Sequence, residues 1–198
     1  MSDQLAIDPT KSALLVMDYQ ITVLETFSAA SGSAAVLEQM PKLIAAARVA
    51  QMTVAYIVVG FRPGYPEVNP RNRVFSMVKE NGLLAADSAG AEIHPAVAPQ
   101  NGEPVVVKHR VSAFAGTDLD MLLKAQDVET LILAGVQTSG VVLSTLRQAA
   151  DLDYRLVVAG DCCTDPDHDV HHVLLEKIFP RNATVATASE IAQAIRRV

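Results

Sequence analysis

Six short apolar runs punctuate the chain, and nearly every position within each run is apolar. Such runs are typical of strands buried on both faces of a sheet, whereas a half-exposed strand alternates apolar and polar residues. The first of them, SALLVM, stops at Asp18. We predict strands over residues 12–17, 53–60, 104–108, 130–135, 155–160 and 183–187.

Segments with the apolar spacing of amphipathic helices separate these runs. The predicted helices cover residues 34–51, about 73–84, 117–126, 139–152, 167–178 and 189–197. Strands that alternate with helices in this way build a parallel sheet with right-handed crossovers and helices on both faces. The long irregular stretch at 61–73 is rich in Pro, Gly and Asn. A loop of that length in a compact domain is often part of a binding site.

Composition narrows the class of protein. The 198 residues are 50% hydrophobic and 19% charged, and a chain of this size buries about 70% of its unfolded surface, so we expect one domain over 1–198. Sixteen basic against 22 acidic residues give a net charge of −6, and the basic residues form no run. We therefore expect no nucleic-acid partner. The apolar runs are shorter than the roughly 18 residues of a spanning helix, so we also expect no membrane association.

Two features of the sequence bear on location. The N-terminal residues lack the positive region of a signal peptide. The two cysteines, Cys162 and Cys163, are adjacent, and neighbours in a chain are poorly placed for an unstrained disulfide. Both features favour a reducing, cytoplasmic location.

Candidate chemistry follows three of the predicted strands. In open parallel sheets, ligands bind beyond the carboxyl ends of the strands, and here these ends carry Asp18, Lys108 and the turn GVQTSGVV at Gly135 to Val142. An ionisable residue that ends a buried strand needs a partner, so we expect Asp18 and Lys108 to form a pair. The alternatives are a capping aspartate and a solvated lysine. The sequence has no glycine-rich nucleotide-binding motif, no G-x-S-x-G and no H-E-x-x-H. Their absence argues against dinucleotide, nucleoside triphosphate, α/β-hydrolase and zincin chemistry.

Three stretches carry a resemblance to a known family. They are SALLVMDYQ, VVVKHRVSAFAGTDLD and LILAGVQTSGVVLSTLRQAADLDYRLVVAGD, and together they resemble the isochorismatase-like superfamily, also called the cysteine hydrolases. The resemblance covers residues 12 to about 187 and implies a three-layer, Rossmann-like α/β fold with a six-stranded parallel sheet flanked by helices. Because members of this superfamily commonly assemble, it also implies a homo-oligomer, a dimer or larger.

The resemblance assigns roles at the strand ends. Amidase members use an Asp, a Lys and a Cys, which carry over to Asp18, Lys108 and Val141. A valine cannot attack a carbonyl group, so no thioester can form at this position. Isochorismatases themselves have Gly there and need no nucleophile, because a carboxylic acid protonates the vinyl carbon of an enol ether and water then adds. Val141 is bulkier than Gly and would fill room that a cyclic diacid such as isochorismate occupies.

We therefore predict a hydrolase of a small organic substrate that acts without a covalent cysteine intermediate. Asp18 would be the general acid or base, and Lys108 would orient it. The alternative is a catalytically degenerate member of the family that binds a small ligand or acts as an interaction scaffold. Replacement nucleophiles such as Ser139 or Ser144 are a weaker option, since no His lies near them in the sequence.

The turn after Gly135 would receive the oxygen of the substrate. The resemblance implies a cis peptide near Val136 and Gln137, and backbone amides at the start of a helix bind anions by default. Capping of the helix by Thr138 or Ser139 is compatible with this role. The expected oxygen-binding residues are Val136, Gln137, Thr138, Ser139 and Gly140, and the expected aromatic walls of the pocket are Phe114, Tyr19 and Phe27.

Other polar clusters have less specific interpretations. His168 and His172 have the i, i+4 spacing of a metal pair, with His171 between them. The same segment also has the pattern of a helix start, and the D-x-H-x-x-H metal motif of nicotinamidases is replaced after the second strand by GFRPGYPEV. We therefore expect no metal and no other cofactor. In the long loop, three arginines would either clamp a carboxylate or belong to a solvated lid: Arg62, Arg71 and Arg73.

Overall fold

The computed structural model describes residues 5–27 and 33–195. Within them, six strands form one parallel sheet in the order β3-β2-β1-β4-β5-β6. This confirms the predicted α/β fold. The strands are β1 (Ser12–Met17), β2 (Thr53–Val59), β3 (Val105–Lys108), β4 (Thr130–Val136), β5 (Arg155–Thr164) and β6 (Thr184–Ala186).

Helices connect the strands and cover both faces of the sheet. The α-helices are α1 (Ile21–Phe27), α2 (Ser33–Val49), α3 (Arg73–Glu80), α4 (Leu119–Ala125), α5 (Leu143–Asp151), α6 (His168–Val173) and α7 (Ala188–Ile195). Two π-helical turns, Thr138–Val142 and Leu174–Ile178, precede α5 and follow α6. In the described ranges, no helix is both long and apolar enough to cross a membrane.

The central strand β1 shows why three layers form. All six of its residues are buried, and successive side chains of a strand point to opposite faces of the sheet. Leu14 and Val16 belong to the apolar layer that includes α2, α3 and α7. Ala13, Leu15 and Met17 belong to the layer that includes α4 and α5. Both faces of the sheet are therefore buried at β1, as a continuous apolar run requires. At the edge strand β3 the same expectation was wrong, because Val105 and Val107 are 46% and 48% exposed on one face.

The structure differs from the sequence prediction at two elements near the carboxyl edge. Strand β5 continues past the predicted end at residue 160, because its pairing with β4 shifts register between Leu133 and Gly135 and then resumes at Cys163 and Thr164. Helix α1 was not predicted, since its seven residues follow β1 after a short turn and show little periodicity. The register shift between β4 and β5 is a bulge. A bulge redirects the end of a strand, and this one lies beside the candidate site.

Candidate active site

Asp18 and Lys108 meet at the carboxyl edge of the sheet. Their strands, β1 and β3, lie on either side of β2, and Lys108 Nζ is 2.9 Å from Asp18 Oδ2. Lys108 Nζ also donates a hydrogen bond of 3.1 Å to the carbonyl of Arg110. Both residues are buried, with 6% and 2% of their surface exposed. The expected pair therefore forms, and neither residue is a solvated surface group.

The backbone around Asp18 is held from both sides. Asp18 has φ 58, a left-handed conformation that Asp tolerates better than most side chains. Its N–H donates to the carbonyl of Ile57 at 2.8 Å. Gln20, fully buried, donates from its amide to the carbonyls of Val59 and Ala91 and accepts from the Val59 N–H, each at 2.8 Å. These bonds fix the ends of β1 and β2 relative to each other.

The electrostatics of the pair favour a carboxyl group that can donate a proton. Burial raises the pKa of Asp18, the charge and hydrogen bond of Lys108 lower it, and burial dominates. Asp18 Oδ1 is buried and has no hydrogen-bond partner among the described residues. A raised pKa increases the protonated fraction near neutral pH, which a general acid requires.

A cavity of about 530 Å³ opens beside the pair, within the usual range of roughly 300–1,000 Å³ for small-molecule sites. It lies where the strand order reverses between β1 and β4, as expected for an open parallel sheet. Its lining combines strand ends, the turn after β4 and α3: Asp18, Val23, Val59, Val74, Phe75, Met77, Val78, Leu84, Lys108, Val111, Val136, Gln137, Ser139, Gly140, Val141 and Ser144.

The turn after β4 contributes part of the cavity wall. The peptide between Val136 and Gln137 is cis, as the resemblance implied, and Val141 lines the cavity with 2% of its surface exposed. A Cβ atom on Gly135 would approach Met17 Cβ and Val141 Cγ1 to 3.1 Å. A side chain at this position would therefore crowd β1 against the turn, whereas glycine lets them lie close together.

Two of the expected oxygen-binding residues have other partners. Thr138 is fully buried, does not line the cavity, and its hydroxyl lies 2.8 Å from His171 Nδ1. The Ser139 N–H donates to Asp165 Oδ2 at 2.7 Å. The sequence prediction assigned this amide to the substrate, but the bulged end of β5 places the buried carboxylate of Asp165 within its reach. The π-helical turn is therefore supported by β5 and α6.

The aromatic walls expected from the sequence lie elsewhere. Tyr19 donates its hydroxyl to the carbonyl of Cys162 and packs in the layer with α2. Phe114 stacks on Tyr154 at 6.0 Å between ring centroids, in the opposite layer. Neither ring lines the cavity. Phe27 ends α1, and its side chain lies outside the described residues.

Helix α3 forms the wall that we expected these aromatic residues to form. We did not assign α3 to the site from the sequence. Val74, Phe75, Met77 and Val78 all line the cavity. The position of α3 directly after the long loop that follows β2 was the available signal, since that loop leaves the carboxyl edge of the sheet. Periodicity alone does not tell which helix crosses a site.

The comparisons with known proteins agree with this fold. A family model described as the isochorismatase domain matches residues 12–190. The chain belongs to the isochorismatase family. An uncharacterized isochorismatase family protein of Bacillus subtilis is 29% identical over 99% of this chain and 100% of its own. Maleamate amidohydrolase of Pseudomonas putida is 32% identical over 95% of this chain and 88% of its own.

A solved structure shows the same fold. The crystal structure of a cysteine hydrolase from Pseudomonas syringae pv. phaseolicola superposes with a TM-score of 0.87 at 27% identity and covers 99% of both chains. The family thus includes amidohydrolases. The resemblance of the sequence assigned the amidase cysteine to position 141, which is a valine in this chain.

The cysteines of this isochorismatase-family chain lie apart from the described lining of the cavity. Both are buried. Cys163 Sγ donates to the Ala159 carbonyl at 3.3 Å. Burial raises the pKa of Cys163 to about 12 and raises that of Cys162 well above its usual value. They have the character of core thiols, since a reactive cysteine needs a lowered pKa and access to solvent.

The histidines of α6 form other contacts. His172 Nε2 lies 3.0 Å from Glu176 Oε2, and His171 contacts Thr138. In the described part of the chain, no group of three or more His, Cys, Asp or Glu residues is arranged to hold a metal ion. The i, i+4 pair of His168 and His172 therefore lacks the further ligands that a zinc site requires.

The arginines predicted in the long loop have other surroundings, and Arg73 begins α3. Arg62 pairs with Glu67 at 2.5 Å, and Arg71 and Arg73 are exposed. None of the three is among the described residues that line the cavity. The interpretation as a solvated loop fits these positions better than that of a carboxylate clamp.

Proposed function

We propose that this protein hydrolyses a small organic substrate without a covalent enzyme intermediate. Asp18 acts as the general acid or base, and Lys108 holds and balances its charge. The observation that carries the proposal is the buried Asp18–Lys108 pair, with a free carboxylate oxygen, beside a cavity whose expected nucleophile position is Val141.

An enol ether illustrates how the pair would work. Protonated Asp18 transfers its proton to the vinyl carbon, which leaves an oxocarbenium ion and an ionised carboxylate. Water adds to the cation and returns one proton to Asp18, and the resulting hemiketal collapses to a carbonyl compound and an alcohol. The ammonium group of Lys108 stabilises the carboxylate while it is ionised. The atoms and charges of this reaction balance without a nucleophilic group at position 141.

Amides fit this site less well. The amidohydrolase relatives act on amides, but expulsion of an amine without nucleophilic catalysis forfeits the main advantage of a covalent route. Ser144 lines the cavity, yet no histidine is among the described lining residues to activate it. The geometry therefore supports direct water attack or proton transfer from Asp18.

Quenched-flow mass spectrometry tests this proposal. The wild-type protein is mixed with neutral and anionic enol ethers, esters and amides, and the intact mass is recorded during turnover. We expect product without any covalent adduct. An adduct during turnover would overturn the non-covalent mechanism, and its site would identify the nucleophile. Tight binding without product for every class would favour the ligand-binding alternative.

A further inference from the structure

The described lining of the cavity contains one cation, and its partners are already in place. Lys108 Nζ lies 2.9 Å from Asp18 Oδ2. Lys108 Nζ has a second acceptor in the carbonyl of Arg110. The other described polar lining groups are neutral: Gln137, Ser139 and Ser144.

Two arginines near this edge have other partners, and neither is among the described residues that line the cavity. Arg62 pairs with Glu67. Arg110 Nη1 donates to the carbonyls of His109 and Glu67 at 2.6 and 3.3 Å. An anionic substrate would therefore lose its hydration when it enters the cavity beside the Asp18 carboxyl group. Among the described residues of the cavity wall, no cation without other partners would compensate its charge. Burial of an unpaired charge is among the most costly changes in a protein interior.

One side of the cavity lining, from α3 and Leu84, carries only apolar residues among those described. Strand ends and the turn after β4 supply Asp18, Lys108, Gln137 and Ser139, whereas α3 and the residue Leu84 supply an apolar wall. A substrate that matches both would place its reacting group at the strand ends. Its remainder would lie as a hydrocarbon arm against α3.

We propose that the cavity selects neutral molecules with an apolar arm and rejects carboxylates of the same length. The role of the strand ends as the reacting end rests on the proposed function, but the selectivity itself rests only on the charge and chemistry of the wall. Position 77 controls the selectivity: Met77 lines the cavity from α3 and is 40% exposed, so a charge placed there faces the arm.

Calorimetric binding of two matched amides tests the inference. Hexanamide and adipamate have the same chain length and amide, but adipamate ends in a carboxylate. We expect the wild-type protein to bind hexanamide at least about tenfold more tightly, a difference of about 1.4 kcal/mol. Equal or tighter binding of adipamate, or no binding of hexanamide at its solubility limit, would overturn the proposal.

Met77→Lys should reduce or reverse this preference, because it adds a cation to the apolar wall. The matched control is Met121→Lys on α4, since Met121 is 68% exposed and lies outside the described lining of the cavity. The control should keep the wild-type preference. An unchanged preference in Met77→Lys would overturn the assignment of the arm to α3.

This inference and the proposed function can fail separately. Selective binding without turnover of any substrate would contradict the proposed function alone. Turnover with a preference for carboxylates would contradict this inference alone.

Discussion

At Asp18, burial and the charge of Lys108 act on the pKa in opposite directions. The same balance explains why a carboxyl group can remain at the end of a buried strand: the ammonium of Lys108 compensates its ionised form, and the surrounding apolar residues favour its protonated form. The proton-transfer role proposed for Asp18 depends on this balance, which substitutions of either partner can test.

Replacement of the lysine should move the pH profile upward. Lys108→Met removes the positive charge that lowers the pKa of Asp18, so the limb of the profile that Asp18 controls should shift to higher pH. We also expect activity at neutral pH to fall by about 10²-fold. The measurement is kcat/KM against pH, with Lys11→Met as a control because Lys11 pairs with Asp127 outside the site. An unshifted limb in Lys108→Met would show that the pair does not set the pKa.

Replacement of the carboxyl group should abolish proton transfer and preserve the fold. Asp18→Asn keeps the shape and tolerates the left-handed backbone, but an amide cannot donate the proton, so kcat/KM should fall by about 10²–10⁴-fold. Asp127→Asn is a matched control, since Asp127 also has a positive φ of 56 and is exposed. A folded Asp18→Asn protein with wild-type rates would remove Asp18 from the mechanism.

The two cysteines should prove dispensable for activity. With a pKa of about 12 for Cys163, only about one thiol in 10⁴ is ionised at pH 8, so iodoacetamide should alkylate the native protein very slowly. Intact mass should show two adducts only after unfolding in urea. The double variant Cys162→Ala, Cys163→Ala should retain turnover, and fast alkylation with loss of activity would contradict the non-covalent mechanism.

At the scale of elements, the bulged end of β5 supports the turn that bounds the cavity. Asp165→Ala removes the acceptor of the Ser139 N–H, and an unpaired amide should cost about 1–3 kcal/mol of unfolding free energy. The amide resonances of Ser139 and Gly140 should shift, and Asp165→Asn should restore both properties in part because it keeps an acceptor oxygen.

The control for this substitution lies two residues further along the chain. Asp167 caps α6 by accepting from the N–H groups of Asp169 and Val170. Asp167→Ala should cost about 1 kcal/mol without a change at the turn. If both alanine variants shift the Ser139 resonance equally, Asp165 has no specific role in positioning the turn.

The elements also show what the sequence could predict. The run SALLVM predicted β1 with its observed bounds because a strand buried on both faces is apolar throughout. The predicted end of β5 was too early because Asp161 interrupts its apolar run, and the bulge that extends the strand depends on pairing with β4. Long-range pairing of this kind leaves no local signal.

The residues of the candidate site also include some that the sequence could predict and some that it could not. Asp18 and Lys108 were predictable because charges at the ends of buried strands need partners, and strand ends meet at one edge. Tyr19 and Phe114 were misplaced because an aromatic residue near a strand end serves the core as readily as a pocket. The apolar wall from α3 depends on how the long loop after β2 folds, and its sequence does not specify that path.

At the scale of the whole molecule, a second ion pair connects distant segments. Arg48, near the end of α2, donates to both carboxylate oxygens of Glu103 at 2.8 Å, to the Tyr56 hydroxyl at 3.1 Å and to the carbonyl of Ala98 at 3.1 Å. Glu103 precedes β3, the strand that carries Lys108. This cluster therefore connects α2 to the segment that leads into β3.

Glu103 should make the stability of the protein depend on acid pH. Burial raises its pKa, but the hydrogen bonds from Arg48 and from the Gln100 N–H outweigh burial, so the pKa in the folded state lies below the usual value of 4.5. A carboxyl group whose pKa is lowered by folding stabilises the protein above its unfolded pKa and loses this contribution as the pH falls through the folded value.

Glu103→Gln should therefore destabilise the protein at neutral pH and not in acid. The amide keeps one neutral hydrogen bond to Arg48 and loses the charge, which we expect to cost about 1 kcal/mol at pH 7. Urea unfolding across a pH series measures the effect: the wild-type and variant free energies should converge as the pH falls below 4.5. Glu129→Gln is the control, because its 3.6 Å pair with Arg155 is exposed and should change stability by less than about 0.5 kcal/mol. Curves for wild type and Glu103→Gln that stay parallel into acid would show that the Arg48 cluster does not lower the pKa of Glu103.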